Sequence, residues 1–367
     1  MAIGEDFLET SNRGGFIVDK TLTCKALLES PDKAVRICLP RRFGKTFNLS
    51  VIAQFFNPVT VHDCLGGAGE SHFKEAHGRR RTLFCGSLLE KRYPEFVEEN
   101  FAKTPVIQID FKNSDGESLG LFNKSLARVV YDATTFWVKA YRKPELLKDD
   151  AREEYQALQR TYSETDAWLG EDESKWEKRG DQAAWLFAKL SEFLVAQHGD
   201  KYIILADEYD QPLEAALGEE WQAKADKAYL GILMKMFKNN KHLAAGLLVG
   251  VHEFKLSDRE SGLNSAKELS LTTGRYRGGK AGVDDIGDES PGPLAALFAF
   301  TAEDVAELVK RTLEKSENVA ELTKRTLEVS DDENARSRLQ EHIMGIIEAW
   351  YDGYDFGFPA KRYNPWS

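Results

Sequence analysis

Five short apolar runs punctuate the chain, at Ala34–Leu39, Pro105–Phe111, Tyr202–Ala206, Ala245–His252 and Glu268–Thr272, and stretches with helical spacing separate several of them. A short, continuous apolar run lacks the in-and-out alternation of a half-exposed strand and suits one buried on both faces. Strands of that kind alternating with helices build a mostly parallel sheet covered by helices on both sides. The expected fold class is therefore α/β, with a mostly parallel central sheet flanked by helices.

One α/β domain is read over residues 1–290, with a charged, helical insert at about 131–199. The end of that insert sets Ala183, Leu186, Leu190, Phe193 and Leu194 at helical spacing and leads into the run at Tyr202. From Gly274 to Pro293 the composition turns to Gly, Pro and charge without periodicity, which marks the best internal boundary. A partial, lid-like helical region is expected over 291–367. Within it, "VAELVKRTLEKSEN" from Val305 is nearly repeated by "VAELTKRTLEVSDD" from Val319, a shift close to four turns at 3.6 residues each. A local duplication that lengthens one amphipathic helix accounts for this, since two copies are few for a coiled coil.

The first run continues into "PRRFGKTF", Pro40 to Phe47. In the pattern GxxxxGK[ST], loop amides and a helix N-terminus cradle phosphates, the lysine reaches the outer phosphates and the hydroxyl holds magnesium. Gly44, Lys45 and Thr46 match, whereas Leu39 stands at the first glycine position. An apolar strand precedes the loop. Phe47, Val51, Ile52, Phe55 and Phe56 can bury one face of a following helix, which Asn57-Pro58 ends. On this reading Pro40, Arg41, Arg42, Phe43, Gly44, Lys45, Thr46 and Phe47 bind the nucleotide. Taken alone, the motif leaves open a solvated Arg-Arg turn at a strand end.

A second element, "YIILADEYDQPL", puts Asp207 and Glu208 at the end of a strand, where parallel sheets present ligands. In phosphate-loop ATPases the first acid there holds magnesium and the adjacent glutamate polarises the attacking water. Acids also suit a helix start, so this pair alone does not decide either. The two motifs together favour a nucleotide and Mg2+ as ligands. Lys45 and Glu208 are then the catalytic candidates, and Thr46 and Asp207 the metal candidates. The α/β fold would be of the P-loop NTPase type. ATPases with such an acid pair often have a further strand between the two motifs that ends in a polar group touching the terminal phosphate; His252 or Glu253 could serve here, although a satisfied polar residue at a strand end is the favoured reading. The glycines and basic residues of "TTGRYRGGK" and the triplet Arg79, Arg80 and Arg81 read as a solvated loop and a solvated face. His62, His72, His77 and Cys64 lack the spacing of a zinc site.

A formal net charge of -11 argues against a surface coated in positive potential for nucleic acid. The four cysteines form no CxxC pair, which favours a reducing compartment. No apolar run approaches the roughly 20 residues that span a bilayer, and the N-terminus lacks the layout of a signal peptide. An intracellular protein is expected, cytoplasmic rather than nuclear, with no membrane contact.

In chain order these residues resemble the AAA-ATPase-like family of bacteria and fungi, whose members often carry a PD-(D/E)XK nuclease-like domain after the ATPase. The resemblance runs from "FIVDKTLTCKALLES" through "LPRRFGKTFNLSVIAQFF", "LFCGS", "PVIQIDFK" and "ILADEYDQPL" to "GLNS", "LFAFTAEDV" and "WYDGYDFGFPAKRYNPWS". It implies that Leu39 is a family trait, that Gly44, Lys45 and Thr46 hold phosphate and magnesium, and that Asp207 and Glu208 form the second acidic motif. It also implies that "VDKT", Val18 to Thr21, packs near the base or ribose. Two departures stand out. Glu253 takes a place where many members carry arginine, which weakens a phosphate sensor, and relatives extend beyond the "YNPWS" segment, so the chain reads as a fragment or a truncated frame. The expectation is an ATP-binding, ATP-hydrolysing switch or motor for a protein partner, oligomer or effector domain. The alternatives are a nucleotide-binding interaction protein without turnover and a part of a nucleic-acid-processing protein, although nucleic acid is not an expected partner of these residues.

Overall fold

The structure, a computed structural model, describes residues 6–13, 17–60, 63–64, 69–199, 201–238, 240–252, 266–270, 297–298, 300–315 and 335–351. Strands β1 (Ala34–Cys38), β2 (Val106–Asp110), β3 (Tyr202–Asp207), β4 (Leu243–Gly250) and β5 (Ala266–Ser270) form one sheet in the order β2-β3-β4-β1-β5. Every pairing is parallel. The α/β architecture and all five strands expected from the apolar runs are present. The strand expected between the two motifs is β4, which lies between β1 and β3.

β1 and β3 are buried at every position because each has a strand on either side and helices above and below. Their side chains alternate between two cores. Val35, Ile37, Ile203 and Leu205 face helices α1 (Phe7–Asn12), α2 (Leu22–Leu28), α3 (Lys45–Phe56), α5 (Leu88–Arg92) and α6 (Pro94–Asn100). Ala34, Cys38, Ile204 and Ala206 face helices α7 (Leu119–Ala140), α8 (Arg152–Leu169), α9 (Gln182–His198), α10 (Gln211–Ala215) and α11 (Gln222–Phe237). The first core is aromatic: the Phe55 ring lies 4.9–5.9 Å from those of Phe56, Phe84, Phe96 and Phe101. In the second, Ala183, Leu186, Leu190, Phe193 and Leu194 are all buried, as their spacing required. Helix α4 (Glu70–Thr82) lies on the surface and buries only Ala76 and Arg80.

β2 departs from the uniformly buried reading. It holds an edge of the sheet, so Gln108 and Asp110 are exposed while Val106, Ile107 and Ile109 are buried. The charged stretch begins within α7, which starts at Leu119 and whose apolar face covers the sheet.

The first copy of the repeat is helix α12 (Ala302–Lys315), and α13 (Ala335–Tyr351) packs on it through Val309, Leu313, Leu339 and Ile343. Lys20 Nζ reaches Asp304 Oδ2 at 2.8 Å and ties α12 to the segment before α2. The composition boundary at Gly274–Pro293, the repeat's second copy, Glu253, Arg275, Arg277 and the "WYDGYDFG" stretch beyond Tyr351 lie outside the described residues. No helix among the described residues is long and apolar enough to cross a membrane.

Candidate functional site

The turn between β1 and α3 opens with Leu39, which is fully buried in the aromatic core and donates its N–H to Gly250 O at 2.9 Å. That bond extends the β1–β4 ladder by one residue. A leucine at this position therefore serves the core, and the loop proper starts at Pro40. Arg42 and Gly44 both take left-handed backbone, with φ of 68° and 70°, and α3 begins at Lys45. The N–H groups of a first helical turn have no intrahelical acceptor, so those of α3 are available at the loop.

Of the residues assigned to nucleotide binding, Arg41, Arg42 and Thr46 are exposed and Pro40, Gly44 and Phe47 are half-buried. Phe43 is fully buried, which limits it to a main-chain contribution. Phe47 meets the Phe7 ring edge-on at 6.0 Å and is partly core. Lys45 is buried, and its ammonium lies 3.4 and 3.3 Å from the carbonyl oxygens of Leu39 and Pro40 at the start of the loop.

Asp207 ends β3 in the same place. Its Oδ2 accepts the Thr46 hydroxyl at 2.5 Å and its Oδ1 accepts the Glu208 N–H at 2.9 Å. Burial pushes the Asp207 carboxyl up to about 6; the charges of Glu208 and Asp110 push the same way, and the Thr46 hydrogen bond opposes them. Burial also raises Glu208, Lys45 and Arg41 pull it down, and Asp210 and Asp110 raise it further. Glu208 has φ 48°, an uncommon backbone region for a glutamate and one that concentrates at functional sites. All four candidates, Lys45, Thr46, Asp207 and Glu208, thus meet at one end of the sheet.

Two contributors were not recognised as such in the sequence. Asp110 ends β2 in register with Asp207 and adds a third carboxylate. Asp210, 2% exposed, accepts the N–H groups of Val251 and His252 on one oxygen, at 2.9 and 2.6 Å. It thereby fastens the end of β4 to the turn after β3. Gly250 makes room, because a Cβ there would stand 2.3 Å from Asp210 Oδ1. His252 is half-exposed, with Nδ1 3.3 Å from Asp210 and 3.6 Å from Glu214. Its carbonyl accepts the Tyr209 hydroxyl at 2.8 Å, and Cys38 Sγ lies 3.3 Å from that hydroxyl. A single DEYD stretch thus supplies the acid pair and the fasteners that set β4 beside it.

"VDKT" has structural work. Asp19 accepts from Thr21 and from the Leu88 N–H, and Thr21 accepts the Leu89 N–H at the start of α5. The triplet Arg79–Arg81 is not a solvated face throughout. Arg80 is buried and bonds Asp63 and the Asn57 carbonyl, Arg79 bonds Glu75, and Arg81 bonds Glu90. These acids meet the arginines' charge within the fold. Among the described residues no group of three or more His, Cys, Asp and Glu side chains could hold a metal ion.

The family model of predicted AAA-ATPases matches residues 70–258, just over half of the chain. The chain belongs to the AAA-ATPase-like family. The matched span of this AAA-ATPase-like protein takes in Asp110, Asp207, Glu208, Asp210 and His252, whereas the loop Pro40–Phe47 precedes it. No curated protein and no solved structure matches the chain. Membership suggests nucleotide binding in general terms, and the parallel sheet with flanking helices is compatible with a P-loop-like fold.

Proposed function

We propose that this protein binds ATP with magnesium at the end of the sheet where β1, β3 and β4 meet, and hydrolyses it to switch or drive a partner. The observation that carries the reading is the 2.5 Å contact between Thr46 and Asp207, which joins two motifs 161 positions apart in sequence. The glycine-lysine-threonine turn serves as the phosphate loop. Its amides and the start of α3 receive phosphate oxygens, and Lys45 turns from its two loop carbonyls to the outer phosphates.

Thr46 and Asp207 are the residues that would hold magnesium. A hydroxyl and a carboxylate are the oxygen donors this ion prefers, and it takes its remaining ligands from phosphates and water. When bound, the ion neutralises phosphate charge. It would also stabilise the ionised Asp207 that burial disfavours. Glu208 orients water for attack on the terminal phosphate, and Asp210 holds the end of β4, with His252, beside it. Helices α12 and α13 belong to the lid-like part beyond about residue 290, joined to the α/β part through Lys20 and Asp304.

Calorimetry with ATP and magnesium tests the binding step. The native chain should bind and Lys45→Ala should lose at least tenfold in affinity; equal binding by the two overturns the reading. Phosphate release abolished by Glu208→Gln, with binding retained, identifies the hydrolytic residue. Binding without phosphate release from the native chain would replace the ATPase with a nucleotide-dependent interaction protein.

A further inference from the structure

A cavity of about 970 Å³ lies away from Lys45 and Asp207, along the open edge of β2. In a parallel ladder the N–H and C=O of one residue point to the same side, and successive residues alternate. Pro105 O accepts from Ile203 and the Phe111 N–H donates to Asp207 O, so the odd-numbered residues serve β3. Val106, Gln108 and Asp110 therefore turn their main-chain groups outward, and the same three residues line the cavity. The Asn57 side chain covers the Val106 N–H at 2.7 Å. Gln108, in mid-strand, has no such cover among the described residues.

The cavity is lined by Gln54 and Asn57 at the α3 end and by Lys124, Arg128 and Phe136 of α7. Its basic side chains are already engaged. Arg80 is paired with Asp63, Arg128 lies 3.3 Å from Asp132, and Lys124 donates to the Glu171 carbonyl at 3.0 Å. Asp110 and Asp115 also line the cavity, and neither makes an ion pair among the described residues. With those two ion pairs set aside, two carboxylates and the Lys124 ammonium remain, so the lining carries a net charge of -1.

We infer that the β2 edge is a docking site for an extended, cationic peptide segment, which adds to the sheet as a sixth strand through the main chain of Gln108 and sets a basic side chain against Asp110. Strand addition supplies affinity through main-chain bonds, and the flanking side chains supply selectivity. Asp110 gives the groove a route to the site at the sheet end, because its charge also acts on Asp207 and Glu208. A cation placed on Asp110 offsets that repulsion and tightens magnesium nucleotide binding, and by linkage the nucleotide tightens the peptide equally. This coupling rests on the nucleotide reading above, whereas the docking site itself does not.

The probe is a fluorescein-labelled eight-residue peptide alternating lysine and threonine, followed by fluorescence anisotropy without nucleotide. Two further versions are N-methylated at every second residue, one for each parity, and a fourth carries glutamate for lysine. The expected result is that the unmodified peptide binds, one N-methylated parity loses at least tenfold while the other keeps its affinity, and the glutamate peptide fails. Gln108→Pro removes the outward N–H and leaves the β3 ladder intact, a substitution edge strands tolerate, and should also cost at least tenfold. Asp110→Asn should weaken binding several-fold. Absence of binding, equal binding by both N-methylated peptides, or equal binding by the glutamate peptide overturns the site, and these peptide comparisons need no protein variant to fold. Calorimetry with magnesium ATP on the same preparation separates the two ideas. Peptide binding without ATP binding leaves the groove and removes the nucleotide reading, and the reverse removes only the groove.

Discussion

Removing the Asp210 side chain offers a quantitative test of how β4 is held. In Asp210→Ala the N–H groups of Val251 and His252 lose an acceptor that sits 2.9 and 2.6 Å away on a buried carboxylate. A hydrogen bond to a charged group contributes about 1.5–3 kcal/mol, which gives an upper range of about 3–6 kcal/mol for the two. Water can replace part of this at His252, which is half-exposed, so the expected loss is about 3 kcal/mol. Asp210→Asn keeps a carbonyl acceptor but sets an amide NH2 where Oδ1 stands over Gly250 without a partner, for about 1–2 kcal/mol. Urea unfolding followed by tryptophan fluorescence measures both. A loss below about 1 kcal/mol for the alanine variant, or equal losses for the two, would refute the argument that these hydrogen bonds fix the strand end.

Asp207 makes stability depend on pH. Its folded-state value of about 6 lies above the ordinary 3.8, so its stabilising contribution is complete below pH about 4 and is lost as pH rises through 6. The resulting penalty on the ligand-free protein is about 3 kcal/mol, and Asp207→Asn should raise the urea midpoint at pH 7.5 with the gain vanishing near pH 4. Phe55→Ala removes a ring surrounded by four others and should destabilise by about 3–5 kcal/mol in the same assay. Asp63→Asn takes the charge from the partner of buried Arg80 and should cost about 1–2 kcal/mol, with a slope against urea unchanged from the parent.

The strands were legible because three of them, β1, β3 and β4, are buried on both faces and their sequences are apolar almost throughout. The acid pair and the lysine turn were legible because each sits directly after such a strand. Asp110 was not, since its role depends on β2 lying next to β3, and strand order follows from packing that no local pattern records. Asp210 reads as one more acid before a short helix until β4 is placed beside it. The same limit explains Arg80. Its charge suggests solvent, and only the loop that brings Asp63 to it shows why it is buried. Leu39 shows the reverse case, where a residue that disagreed with the motif agreed with the core.

The strand order also sets the sequence in which the site is assembled. Among the described residues β1 pairs with β4 and β5, which leave the ribosome after roughly 200 further residues, a delay of about 10–40 s at 5–20 residues per second. β2, β3 and β4 follow one another in the chain and can pair before β1 is inserted. The carboxylates of β2 and β3 can therefore come together before β4 emerges to give β1, and with it the lysine turn, a partner strand.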